Sequence, residues 1–133
     1  MQDSLGEINR MNTTHSFSLL EESFDLTHDI CQLASELQNK VYSPLASQMI
    51  FSTKSVIDNL VKELNNSSAI TAFNGAQGIV NLVKEIIVCL HMARRELLID
   101  KENFHELHRR CEKFLNNVST YFGSSRRVVV RLF

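Results

Sequence analysis

Proline and glycine are scarce in this chain of 133 residues. Pro44 is the single proline, and the four glycines are Gly6, Gly75, Gly78 and Gly123. A sandwich of short strands joined by tight turns needs more of both residue types, so the composition argues against an all-β sandwich. Hydrophobic residues make up 44% of the chain and charged residues 22%, which is typical of a globular chain and not of a disordered one. This length predicts one domain.

Long apolar runs and targeting segments are lacking as well. The longest uninterrupted apolar run is Ile86–Leu90, far short of the ~18 residues of a membrane helix. The first ten residues, MQDSLGEINR, are too polar for a signal peptide. The sequence spacing of Cys31, Cys89 and Cys111 fits neither a zinc knuckle nor a CxxC motif. We therefore expect a cytoplasmic protein with no membrane partner and with three buried thiols.

Apolar residues recur at helical spacing in four segments, which predicts an all-α fold. Residues 1–16 lack this periodicity and are expected to form a flexible leader. The S-x-x-E spacing of Ser18 and Glu21 is that of a capping box, so the first helix is predicted over about 18–40. Ser43 and Pro44 favour the start of a second helix.

The third helix is predicted over about 69–98, and Asp100 is a suitable N-cap for the fourth. Gly123 is predicted to end the fourth helix. The links between the helices are short, which favours an antiparallel up-down-up-down four-helix bundle over residues 17–123. Residues 124–133 form a basic and apolar tail that is expected to be non-helical, either a strand or an extended arm.

The third helix carries two adjacent apolar stripes, a face wider than one bundle core requires. One stripe comprises Phe73, Ala76, Val80, Val83, Ile87 and Leu90, and the other comprises Ile79, Leu82, Ile86, Cys89 and Ala93. We expect the surplus to be buried between subunits of a homo-oligomer. On the second helix, three polar residues spaced four apart share one face. This face is either a contact line between subunits or an ordinary solvated stripe. The predicted oligomer interface comprises Ser55, Asn59, Glu63, Ile79, Leu82 and Ile86.

Charge is distributed unevenly along the chain. Residues 1–93 contain 5 basic and 10 acidic residues, whereas residues 94–133 contain 9 basic and 5 acidic ones. Such a basic segment suits contacts with phosphates of RNA or DNA. It is equally compatible with a solvated surface, or with an adaptor that binds only protein. The predicted nucleic-acid-binding residues are Arg94, Arg95, Arg109, Arg110, Lys113, Arg126, Arg127 and Arg131.

Metal and catalytic motifs are weak. His105, His108 and Glu112 have a spacing that can hold a metal on one helix. A di-iron bundle, however, needs its Glu-x-x-His motif twice, and Glu102-x-x-His105 has no second copy. No nucleophile elbow or phosphate-binding glycine loop is present either. The sequence therefore predicts no metal, no cofactor and no enzymatic activity.

One set of positions carries a family resemblance over residues 23–122. Its motifs are Phe24-Asp25, Gln48 followed by Ser55-Val56-x-x-Asn59-Leu60, and Phe73 opening a helix that contains Glu85. In these positions the chain resembles the four-helix-bundle proteins of the ribosomal-RNA intervening-sequence family. Bacterial relatives of that family are accessory variability determinants of diversity-generating retroelements.

The resemblance implies a bundle that assembles into a ring, commonly a pentamer. For the retroelement branch it implies binding to a reverse transcriptase and its RNA. These implications agree with the fold class predicted from the helical spacing, and they make the homo-oligomer and the nucleic-acid partner the two main functional expectations.

Overall fold

The computed structural model describes residues 2–39, 43–65 and 69–125, with side chains described over 16–39, 44–65 and 75–123. Its helices are α1 (Gln2–Gln38), α2 (Ser43–Leu64), α3 (Ala69–Arg95) and α4 (Lys101–Ser125). The described residues include no strand. Each helix packs against the next along the chain, and α4 packs against α1. The predicted all-α four-helix bundle is confirmed.

The core lies along the centre of this bundle and is built from all four helices. On α3 a row of buried positions steps by three and four residues, which keeps them on one face of the helix. They are Ala76, Ile79, Val83, Ile86, Leu90 and Ala93. The core therefore draws members from both predicted apolar stripes, and flanking residues such as Val80 and Leu82 are half-buried against it.

Hydrogen bonds between helices show how α1 and α4 are aligned. Those between α1 and α4 join Ser16 to Tyr121 at 2.6 Å, Glu22 to Asn117 at 2.7 Å and Asp29 to Arg110 at 2.6 Å. The partner's number falls on α4 as the residue number rises on α1, so these two helices run in opposite directions. The up-down-up-down order of all four helices stays a prediction.

Two predicted helix starts are confirmed. The α2 helix begins at Ser43, with Pro44 in the first turn, where its missing N–H leaves no hydrogen bond unmade. The α4 helix follows Asp100, whose carboxylate accepts a hydrogen bond from the Asn103 backbone N–H at 2.7 Å. Asp100 is therefore the predicted N-cap, satisfying a donor that has no partner inside the helix.

Other predicted boundaries are wrong. The α1 helix begins at Gln2, so residues 2–16 are helical rather than a leader, and Ser18 lies inside the helix. This stretch has no proline and one glycine, and extending an existing helix costs far less than starting one. The α4 helix continues through Gly123 to Ser125, and no described glycine has a positive φ. The rest of the predicted tail, 126–133, lies outside the described residues.

The α3 helix ends at Arg95, three residues before the predicted end. Leu97 follows with φ of 59°. Its N–H donates to the Arg94 carbonyl at 3.0 Å, and the Leu98 N–H donates to the Ala93 carbonyl at 2.9 Å. These two bonds form a Schellman motif, which turns the chain into the link before α4.

Within the described residues, Gly75–Arg95 is the single stretch long and apolar enough to cross a membrane, with a mean hydropathy of 1.3. The same stretch supplies the α3 core positions of the bundle. A central helix of a packed bundle passes the same test of length and composition.

Candidate functional site

The basic residues predicted on α4 are largely paired with carboxylates. Arg109 is exposed and donates to Glu106 at 2.8 Å, and this hydrogen bond holds the pKa of the Glu106 carboxyl below its usual value. Arg110 is half-buried and donates to Asp29 on α1 at 2.6 Å. That hydrogen bond is the main reason why the pKa of Asp29 is lowered.

The remaining predicted cations differ in their availability. The Arg94 guanidinium donates to the Ile99 carbonyl at 3.3 Å, so it supports the link between α3 and α4. Arg95 and Lys113 are exposed, and among the described side chains neither has an ion-pair partner. The other three predicted residues, Arg126, Arg127 and Arg131, lie outside the described residues.

A cleft of about 380 Å³ separates α1 from α4 on the side of these cations. Carboxylates line its α1 wall, and its α4 wall carries cations together with the carboxylate of Glu106. Its lining residues are Ser18, Glu21, Glu22, Asp25, Leu26, Glu106, Arg109, Arg110 and Lys113. Because both signs of charge face the cleft, a phosphate approaching Lys113 also meets the carboxylates of α1, which weakens its attraction.

Glu22 is the most constrained carboxylate of this cleft. Its Oε2 accepts from Asn117 at 2.7 Å. Its Oε1 is fully buried and has no hydrogen-bond partner among the described residues. A buried oxygen that accepts no hydrogen bond lowers the stability of the fold, and the surrounding helix packing must offset this loss.

The predicted oligomer interface is only partly available for contact with another subunit. Ile79 and Ile86 are buried inside the single chain at 0% and 1% exposure, and Glu63 is buried at 4%. Assigning these three to a subunit interface was therefore wrong, because the bundle's own core already covers them. Ser55, Asn59 and Leu82 are half-buried at the margin of the core.

Glu63 instead fills space inside the bundle. A Cβ added at Gly75 would overlap the Glu63 carboxyl group, so α3 approaches α2 closely at this point. A larger residue there would have to displace the carboxyl group of this buried side chain.

Exposed apolar side chains on α2 and α3 were not predicted. Phe51, Val88 and Met92 are 63%, 56% and 51% exposed. Ser52, the neighbour of Phe51, donates to Glu85 at 3.3 Å, and Glu85 lies three residues before Val88 on α3. We name Phe51, Val88 and Met92 the apolar surface. The sequence signal that could have found two of them is that Val88 and Met92 lie outside both apolar stripes of α3 and are one helical turn apart.

Histidines and an aromatic ring cluster where α3 meets α4. The Phe104 ring lies 5.0 Å from that of His91, 5.4 Å from that of His105 and 5.6 Å from that of His108, measured between centroids. His108 also contacts Glu112 at 3.0 Å. Among the described residues, no three His, Cys, Asp or Glu side chains are grouped so that they could hold a metal ion.

The thiols follow the sequence prediction in part. Cys89 and Cys111 are buried, whereas Cys31 is half-buried, with its Sγ 3.3 Å from the Thr53 hydroxyl. Burial is the main reason why the pKa values of Cys89 and Cys111 are raised, that of Cys111 to about 12. A thiol of such high pKa carries almost no thiolate at neutral pH, so it is a poor nucleophile.

The chain matches no protein-family model, no curated protein and no solved structure. Its resemblance to the intervening-sequence family therefore stays a prediction, and the functional argument rests on the chain's own surfaces.

Proposed function

We propose that this protein is a non-enzymatic helical bundle that associates with copies of itself and presents the assembled surface to a macromolecular partner. The observation that carries the proposal is the apolar surface of Phe51, Val88 and Met92. Large apolar side chains that stay exposed on adjacent helices favour an interaction site there, because covering them removes apolar area from water.

The distribution of exposed apolar side chains supports this choice of surface. All the large ones that are described lie on α1, α2, α3 or the link at Leu97, and none lies on α4. The outer side of α4 carries polar and charged side chains instead, such as Glu102, Glu106, Arg109 and Lys113. An assembly through α2 and α3 leaves α4 free for a second partner, and a ring is the closed form of a repeated heterologous contact.

The test is a pair of variants measured by sedimentation equilibrium. Phe51→Glu combined with Val88→Glu places two charges on the apolar surface and should dissociate the assembly. Leu97→Glu is the matched control, because Leu97 is 79% exposed but lies outside the apolar surface. Dissociation by the double variant alone supports the proposal. An equal effect of both variants, or of neither, contradicts it.

Binding of RNA or DNA is the second candidate function. Its support is the unpaired state of Arg95 and Lys113 among the described residues, together with the basic composition of residues 94–133. The acidic α1 wall of the cleft opposes it, so this candidate ranks below a partner that is a protein. The family resemblance implies a reverse transcriptase and its RNA as partners. The enzyme is a partner of the protein class, and its RNA is one of the nucleic-acid class.

Salt dependence separates the two candidates. If phosphates are bound, the affinity for a structured RNA should fall steeply as salt is raised, and Arg95→Gln with Lys113→Gln should reduce the slope by about one for each lost phosphate contact. Lys84→Gln, an exposed lysine on α3, is the matched control. RNA binding that is absent at low salt would leave the protein adaptor as the remaining proposal.

A further inference from the structure

A second group of exposed apolar side chains lies where α1 meets α2. Phe17 and Phe24 on α1 are 62% and 49% exposed, and Val61 on α2 is exposed as well. Together with the apolar surface and Leu97, these three account for every large hydrophobic side chain that is exposed among the described residues. We name Phe17, Phe24 and Val61 the second apolar surface.

Sequence spacing and one contact place the second apolar surface along the α1–α2 seam. Phe17, Phe24 and Cys31 follow one another at intervals of seven residues, close to two helical turns, so they share one face of α1. Cys31 Sγ lies 3.3 Å from the Thr53 hydroxyl, so this face borders α2. Because a short link joins the two helices and they meet at this contact, they fold back on each other. Phe24 and Val61 lie seven and eight residues beyond the contact, and therefore at nearly the same level.

Half-buried apolar side chains continue the second apolar surface toward the core. Leu20 and Leu64 each lie one turn from one of its members and pack against the core from the edge. Ile57, also half-buried, lies one turn after Thr53 and one turn before Val61, which keeps Val61 on the side of α2 that borders α1. The apolar area at this seam therefore extends beyond the three exposed side chains.

The charged residues around the two surfaces differ in sign. We compare the positions three and four residues to either side of each member, which are its neighbours on the helix. Around the second apolar surface these positions contain Glu21, which also borders the charged cleft, and Asp58, but no lysine or arginine. Around the apolar surface they are mostly basic: Lys54, Lys84, Arg95, Glu85 and Glu96.

These charges favour contact between unlike surfaces. Lys54, Lys84 and Arg95 are exposed, and among the described side chains none of them has an ion-pair partner. A symmetric contact of the apolar surface with itself brings the same cations together, which costs free energy. It also leaves the second apolar surface in water. A contact between the two surfaces sets the cations opposite Glu21 and Asp58 and covers both apolar groups at once.

We propose that the apolar surface of one copy binds the second apolar surface of the next copy, head to tail. This inference rests on the self-association proposed above and names the surface that receives the apolar surface. A contact between two different surfaces is heterologous, so each added copy leaves one surface of each kind available until the assembly closes.

Two variants that each block one surface test this contact by complementation. The first, Phe51→Glu with Val88→Glu, blocks the apolar surface, and the second, Phe17→Gln with Phe24→Gln, removes apolar side chains from the second apolar surface. Circular dichroism checks that both keep their helices. Sedimentation velocity should report each variant alone as a monomer, because every contact needs one surface of each kind. An equimolar mixture should form a complex of two chains and nothing larger, because one compatible pair of surfaces remains.

Leu97→Gln is the matched control for the second variant, because it also replaces an exposed large apolar side chain with an amide and lies outside both surfaces. It should assemble as the wild type does, and its dissociation would overturn the assignment of the second apolar surface. A second variant that assembles like the wild type, or a mixture that stays monomeric, overturns the head-to-tail contact but leaves self-association standing. A first variant that remains assembled contradicts the proposed function itself, and this inference with it.

Discussion

Leu97 is the residue whose backbone conformation departs most from what its side chain prefers. Among the described residues it is the one non-glycine with a positive φ, at 59°. The left-handed region costs a residue with a Cβ about 1–2 kcal/mol. The Schellman hydrogen bonds and the half-buried Leu98 that follows it hold the residue there.

Replacing Leu97 with glycine should therefore stabilise the protein. The side chain is 79% exposed, so little burial is lost. Glycine releases the backbone strain of the folded state but also adds conformational entropy to the unfolded chain, which offsets part of the gain. The net free energy of unfolding should rise by ~0.5–1 kcal/mol. Urea denaturation measures this change. Leu97→Ala keeps the Cβ and should give no such gain. A lower urea midpoint for Leu97→Gly would contradict the argument.

The buried thiol of Cys111 makes the stability of the protein depend on pH. Burial raises its pKa to about 12, above the reference value of 9.0. Between these values the unfolded chain releases the thiol proton while the folded chain retains it, so stability is fully present below pH 9 and falls as pH rises. The loss from this group should approach ~1.4 kcal/mol per pH unit.

The measurement is the free energy of unfolding of wild type and Cys111→Ala from pH 8 to pH 11. The wild type should lose stability more steeply, because lysines and other titrating groups are common to both proteins and cancel in the difference. Parallel curves would show that Cys111 is not protected from ionisation by burial. In the same samples, a maleimide should leave Cys111 unmodified at pH 8.

At the scale of the element, the sequence predicted the type of every helix and about half of the boundaries. Ser43 and Asp100 were predictable because capping depends on a few neighbouring residues. The start of α1 was not, because helix propagation from the packed part of α1 extends through a stretch with weak periodicity. The predicted end of α4 at Gly123 was wrong because glycine permits the left-handed conformation that ends a helix but does not impose it.

The α2–α3 pair distinguishes the two glycines of α3. Gly78 has no neighbouring atom within 4 Å of an added Cβ, whereas a Cβ at Gly75 would overlap the buried Glu63 side chain. Gly78→Ala should therefore stabilise α3 by ~1 kcal/mol through helix propensity. Gly75→Ala should instead destabilise the protein by ~1–3 kcal/mol, because Glu63 must move.

Chemical denaturation of these two variants compares the same substitution at two positions of one helix. The changes in the free energy of unfolding are expected to have opposite signs. If both substitutions stabilise the protein equally, Glu63 is free to leave its position and the close approach of α2 and α3 is not a constraint.

At the scale of the whole molecule, two surfaces divide the bundle. The α2–α3 side carries the apolar surface, and the α1–α4 side carries the charged cleft. The charge asymmetry pointed to α4, but the sequence could not show that Asp29 of α1 pairs with Arg110. That long-range pair depends on how α1 lies against α4, which helical periodicity does not fix. The pair of Glu106 and Arg109 lies three residues apart on one helix, so helical spacing alone allowed it.

The candidate site was not predictable from helical spacing. The width of the α3 apolar face predicted apolar surface beyond the needs of the core, but the bundle buries or half-buries the described members of both stripes, Ile79 and Ile86 among them. The exposed side chains are Val88 and Met92, which lie outside both stripes, and Phe51 on another helix.

The most direct test of the account is the molar mass of the wild-type protein in solution, measured by light scattering behind size-exclusion chromatography at micromolar concentration. The account predicts a single species at two or more times the 15.2 kDa chain mass, in whole-number steps, because the apolar surface is covered by another copy. A single species at 15.2 kDa across that concentration range would contradict the proposed self-association.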